Sequence, residues 1–177
     1  NSIAANGSCL ATSETFDIEI FTPPTVIANA SSLAICLGDS VELTGDGANT
    51  YVWDNGVTDG DSVSPAAQTT YIVTGTDINN CVDTNKVIID VNSLPTVIAN
   101  ASSLAICLGD SVRITGTGAN TYVWDNGVTN GDSVSPATQT TYIVTGTDNN
   151  SCVDTNTVII DVNLLPTVIA NASSLAI

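Results

Sequence analysis

Apolar and polar residues alternate along this chain in short bursts, and turn-forming residues separate the bursts. VELTG (41–45) sets Val41 and Leu43 against Glu42 and Thr44, and TYVWD (50–54) puts Tyr51 and Trp53 on one face. TYIVTGTD (70–77) aligns Tyr71, Val73 and Gly75; KVIIDVN (86–92) aligns Val87, Ile89 and Val91 with Asp90 outside. A period of two over four to eight residues marks a half-buried β-strand, because successive side chains point to opposite faces. GDGAN, DNGVTDGD, SPAAQ and TDINN lie between the bursts and are rich in residues that tolerate or enforce reversals of the backbone. No apolar pattern at i, i+3, i+4 persists long enough for a helix.

The pattern then recurs. Pro24, Pro95 and Pro166 are spaced 71 residues apart, as are Cys36 and Cys107, Trp53 and Trp124, and Cys81 and Cys152. Between residues 24–94 and 95–165 only nine positions differ, so the units are near-identical copies. Residues 166–177 restart the same text and are expected to form the first strand of a further repeat. Residues 1–23, with Cys9 near the place of Cys81, read as the C-terminal end of a preceding, more divergent repeat. A fixed period of this kind outranks any local motif, and it predicts stacked or strung copies of one small unit. About seven short strands in each unit, an aromatic residue on the third and a Tyr opening the penultimate one predict an all-β fold of tandem immunoglobulin-like sandwiches.

With the copies aligned, CLGDSVELTG (36–45), TYVWDNG (50–56) and SVSPAAQTTYIVTGTDINNCVDTNKVIIDVN (62–92) resemble the Ig-like and PKD-like repeats of large secreted surface proteins of gliding, Bacteroidota-type bacteria. The resemblance covers nearly the whole chain. It implies export, often through the type IX route, and a place on long adhesins, including those that serve gliding motility. The C-terminal sorting domain of such proteins is not among these residues.

Charge narrows the partners. Eighteen acidic residues face only Lys86 and Arg113, giving a formal net charge of −16. Phosphate backbones and anionic lipid surfaces are repelled by such a chain, so nucleic acid is excluded as a partner. No apolar run approaches the ~20 residues that span a bilayer, and membrane insertion is not expected.

Cysteine usage points outward from the cell. Two Cys at matching places in each unit, in a chain without His, favour disulfides over metal ligation or redox catalysis. Spacing leaves the pairing open. Cys36 with Cys81 and Cys107 with Cys152 would close each unit upon itself, and this is the expected arrangement; Cys81 with Cys107 would join neighbours. Five cysteines leave one over under either pairing, Cys9 under the first and Cys152 under the second.

Catalysis has little to work with, since no His, no Ser-His or Cys-His pair and no Gly-rich loop followed by Lys is present. A carboxylate pair such as Asp59 with Asp61 fails in the second copy, where Asn130 replaces Asp59. Calcium is the sharper candidate cofactor, with Asp54, Asp59, Asp61, Asp77 and Asp83 in the first unit and Asp125, Asp132, Asp148 and Asp154 in the second as ligands. Against it stands the role of Asp and Asn in shaping turns. Trp53 and Trp124 could stack on sugars, but a Trp at that point of a sandwich belongs in the core. Asp-Ser-Val recurs at Ser40, Ser62, Ser111 and Ser133, similar to the context in which exported proteins of these bacteria receive O-glycans, and Asn29, Asn100 and Asn171 open N-glycan sequons.

Together these features predict a non-catalytic stalk or fibre segment of a long extracellular, cell-surface adhesin. Its partners would be neighbouring repeats of the same chain and further copies in a fibre. Two alternatives remain at this level: a filament of separate subunits joined by strand complementation, and spacer repeats of a secreted multidomain enzyme. Binding by the repeat surface itself is disfavoured by the change from Glu42 to Arg113 at an outward-facing position.

Overall fold

In the computed structural model, which describes residues 15–171, two successive β-sandwiches follow the repeat. The first contains β1 (Ile27–Ala30), β2 (Ala34–Cys36), β3 (Val41–Asp46), β4 (Thr50–Trp53), β5 (Ser62–Val63), β6 (Thr69–Thr76) and β7 (Val82–Asn92). The second contains β8 (Ile98–Ala101), β9 (Ala105–Cys107), β10 (Val112–Thr117), β11 (Thr121–Trp124), β12 (Ser133–Val134), β13 (Thr140–Thr147) and β14 (Val153–Asn163). Each unit has a three-stranded sheet, in the order β1-β3-β5 or β8-β10-β12, and a four-stranded sheet, β2-β7-β6-β4 or β9-β14-β13-β11.

Seven strands per unit match the alternation pattern, but the aromatic falls on the fourth strand and not the third. The first strand is split. Its opening half pairs antiparallel with β3 (Ile27 opposite Asp46), and its closing half pairs parallel with β7 (Cys36 opposite Asn92). Ser31, Ser32 and Leu33 carry the chain from one sheet to the other, and the Ser32 hydroxyl donates to Ala34 O and accepts from Ala34 N. Such a crossing ties both sheets to one short segment and covers the edge of β7.

The inward positions are those the period of two selects. Val41, Leu43, Trp53, Tyr71, Val73, Val87 and Ile89 are buried together with Val26 and Ile35, and a matching set is buried in the second unit. The two cores share no residue. Burial, and then the negative charge of Asp54, raises the Tyr71 phenol above its ordinary pKa; burial and Asp125 do the same to Tyr142.

Each unit also depends on how its chain arrives. Val26 and Val97 are buried, with Asn85 Nδ2 donating to Val26 O and Asn156 Nδ2 donating to Val97 O. Gly47 and Gly118 sit beside these segments at φ +84° and +93°, and a Cβ on either would run into the carbonyl oxygen of Thr25 or Thr96. Only glycine meets both demands at once.

Outside the sandwiches, residues 15–26 and 164–171 form no strand. The expected strand of 166–177 is absent over 166–171, and the rest of it, like Cys9, lies outside the described residues. β1 and β8 exist through pairing with β3 and β10, and among the described residues no strand pairs with residues 169–171. No helix among the described residues is long and apolar enough to cross a membrane.

Candidate functional site

The cysteines define the most distinctive site. Cys36 is bonded to Cys152, with a Cα–Cα distance of 5.5 Å and a sequence separation of 116. Cys81 and Cys107 are free thiols. Neither expected arrangement occurs: Cys36 does not pair with Cys81, nor Cys107 with Cys152, nor Cys81 with Cys107.

Strand geometry supplies the reason. Cys36 lies opposite Asn92, the last residue of β7, whereas Cys81 immediately precedes Val82, its first. Eleven residues at ~3.3 Å each separate the two cysteines by roughly 35 Å, and a disulfide needs Cα atoms within about 7 Å. One cysteine therefore stands at each pole of the sandwich. The turn carrying the second cysteine sits at the N-terminal pole, where the chain arrives; the first stands at the C-terminal pole, where the chain leaves. Serial connection brings the C-terminal pole of the first unit against the N-terminal pole of the second, so Cys36 meets Cys152. Cys81 and Cys107 are left at the outer ends, which rules out the remaining pairing.

Both poles are built by side chain to backbone bonds. Asp148 Oδ1 accepts from Asn150 N (2.8 Å) and Cys152 N (2.9 Å), closing the turn that presents Cys152. Asp39 Oδ2 accepts from Cys36 N at 3.3 Å. Cys152 is fully buried, and an open cleft beside the bond is lined by Ser32, Asp39, Asn92, Asn150 and Ser151. The linker residues Ser93, Leu94 and Pro95 border a second cleft with Asn120 and Asn149, which hydrogen-bond to each other.

The carboxylates singled out for calcium are distributed among separate turns. Asp54 Oδ1 accepts from Ile72 N and Asp125 Oδ1 from Ile143 N, each at 3.0 Å. Asp77 Oδ1 holds Asn79 N and Cys81 N, as Asp148 does in the second unit. Asp83 Oδ2 accepts from Val26 N at 3.5 Å, Asp154 Oδ1 faces Thr155 N, and Asp132 Oδ2 accepts from Thr129 N. Asp61 contributes its backbone, its N–H donating to Thr58 O and its carbonyl accepting from Leu43 N. Among the described residues no three Asp, Glu, Cys or His side chains gather where they could hold a metal ion.

Asp59 has a different task. Its Oδ1 accepts from the Trp53 indole Nε1–H at 2.9 Å and from Gly45 N at 2.6 Å. Asn130 Oδ1 takes the same two donors in the second unit, Trp124 Nε1–H at 3.0 Å and Gly116 N at 2.6 Å. One acceptor oxygen is required, and charge is not. Asp59→Asn is therefore expected to change the stability of the first sandwich by less than about 0.5 kcal/mol. Asp59→Leu strips the acceptor from two donors and is expected to cost about 1–3 kcal/mol. Thermal unfolding of the two variants checks the difference.

Ser40, Ser62, Ser111 and Ser133 are all exposed, as are Asn29, Asn100 and Asn171. Trp53 and Trp124 are each 4% exposed and offer no stacking platform.

No family model matches the chain, and no curated protein does. Among solved structures, murine CEACAM1b is similar at 12% identity and a TM-score of 0.33, over 78% of this chain and 100% of that one. PcdhgB3 EC1-4 is similar at 11% identity and a TM-score of 0.26, over 81% of this chain and half of that one.

Proposed function

We propose that this chain is a non-catalytic structural segment of a long extracellular stalk or fibre at a cell surface, in which repeated sandwiches act as length and stiffness. The observation that carries this reading is the bond from Cys36 to Cys152. A disulfide within one unit would stabilise that unit's own core. A disulfide between poles of successive units instead joins the two bodies at a second point beside the Ser93–Leu94–Pro95 linker. Two attachment points oppose the hinge motion that one linker permits, and Pro95 further restricts the linker itself.

Other features agree with a passive load-bearing role. A structural disulfide persists in an oxidising compartment, which supports a position outside the reducing cytosol. The nine differences between copies fall on Glu42/Arg113, Leu43/Ile114, Asp46/Thr117, Asp59/Asn130, Ala67/Thr138, Ile78/Asn149, Asn80/Ser151, Lys86/Thr157 and Ser93/Leu164. They spare every cysteine and every core position but one, where Ile114 replaces Leu43. Those substitutions keep the fold and the cysteines, and three of them, Ile78/Asn149, Asn80/Ser151 and Ser93/Leu164, change side chains of the turn and linker that border the joint.

Electron microscopy of the purified native protein checks the reading. Extended rods of regular thickness are expected, and compact globules would contradict it.

A further inference from the structure

The bonded and free cysteines occupy the same two kinds of position. Cys107 stands opposite Asn163 at the end of β14 as Cys36 stands opposite Asn92 at the end of β7. Its N–H donates to Asp110 Oδ2 at 3.3 Å, the distance found from Cys36 N to Asp39 Oδ2. Gly109 and Gly38, in the turns that follow, have φ of 95° and 98°. At the other pole Cys81 N donates to Asp77 Oδ1 at 2.8 Å, as Cys152 N does to Asp148 Oδ1 at 2.9 Å. Asn80 and Ser151, just before these cysteines, adopt φ of 61° and 65°. The turn that presents each thiol is thus the same whether or not the thiol is bonded. Two side chains of that turn differ, Asn149 for Ile78 and Ser151 for Asn80, and so does the neighbour: Cys107 is exposed and Cys81 half-buried, while Cys152, bonded to the unit before it, is fully buried.

We propose that Cys107 and Cys81 are the open halves of a disulfide ladder, in which the C-terminal-pole thiol of every unit bonds the N-terminal-pole thiol of the unit that follows. Cys36–Cys152 is one rung. Cys107 takes the second cysteine of a succeeding unit, and Cys81 takes the first cysteine of a preceding one. Each rung forms by thiol–disulfide exchange with a low-molecular-weight disulfide such as oxidised glutathione. A protein thiolate attacks the glutathione disulfide and releases one glutathione thiol; the second protein thiolate then displaces the other. Two protein thiols lose two protons and two electrons, and one disulfide becomes two thiols.

The consequence is mechanical. Successive rungs overlap, because each spans 116 residues while the repeat is 71 long. Every unit inside an array is then tied to both neighbours, and no single linker bears the load alone.

The test lengthens the chain by one of its own units. A second copy of residues 95–165 is inserted after residue 165 in a Cys9→Ser background, and the protein is folded in a glutathione redox buffer. Alkylation followed by intact mass counts the thiols that remain. The ladder predicts two disulfides and two alkylated thiols, and one disulfide fewer when Cys107→Ser is introduced. Three disulfides with no free thiol would mean closure within each unit, and a single disulfide with four free thiols would mean that the joint does not propagate. Either result overturns the proposal.

Discussion

Trp124→Ala is expected to lower the unfolding temperature of the second sandwich while leaving that of the first unchanged. Trp124 is 4% exposed and lies in a core with Val112, Ile114, Tyr142, Val144, Val158 and Ile160. Truncating a buried Trp costs about 3–5 kcal/mol, through lost burial and the cavity left behind. A unit of this size has roughly 4–10 kcal/mol to lose, taking about 0.05–0.15 kcal/mol per residue. The substitution therefore removes a large share of the unit's stability. Because the two cores have no residue in common, the first sandwich does not feel the cavity. The variant retains Trp53 as its sole tryptophan, so fluorescence reports the first unit alone while circular dichroism reports both. Two separated thermal transitions are expected, with the Trp53 signal unmoved. A single transition lowered equally in both probes would show that the sandwiches fold as one body.

Breaking the bond between Cys36 and Cys152 is expected to have the largest mechanical effect of any single change. When tension enters at residue 15 and leaves at residue 171, it follows the shortest covalent route. That route runs from Cys36 straight across to Cys152, so most of both sandwiches lies off the loaded path. Only β1, β2 and β14 remain in line with it. Reduction, or Cys36→Ser, puts the whole chain back under load and leaves the linker as the only connection. The bond is also expected to narrow the range of angles between the units. Small-angle scattering in oxidised and reduced buffer checks this, with a broadened distribution of maximum dimensions expected only after reduction. Each sandwich should keep its β-sheet circular dichroism in both states, since neither core depends on the bond.

The alternation of side chains made most of the fold legible. Val41 and Leu43, Tyr71 and Val73, Val87 and Ile89 are buried as the period of two requires, because a strand has only two faces and one of them meets the core. The split first strand was not legible: a three-residue crossing through Ser31–Leu33 leaves no periodic trace. The disulfide pairing is hidden from the sequence for a related reason. The 45-position separation of Cys36 and Cys81 suggests a local loop, but the eleven-residue β7 turns that interval into a separation of poles. The signal was present in the long run VDTNKVIIDVN, which begins beside one cysteine and ends beside the partner strand of the other. Asp59 was weighed as a carboxylate when its oxygen alone matters, and the change to Asn130 between copies already separates the two roles.

Single-molecule pulling between the chain ends tests the stitched joint most directly. In the oxidised protein the residues between Cys36 and Cys152 cannot be extended. Their 116-residue span should therefore hold back about 400 Å of contour length at ~3.5 Å per residue. Adding a reductant during the pull should release that length. If the oxidised chain gives up the full contour without reductant, no bond bridges the two sandwiches.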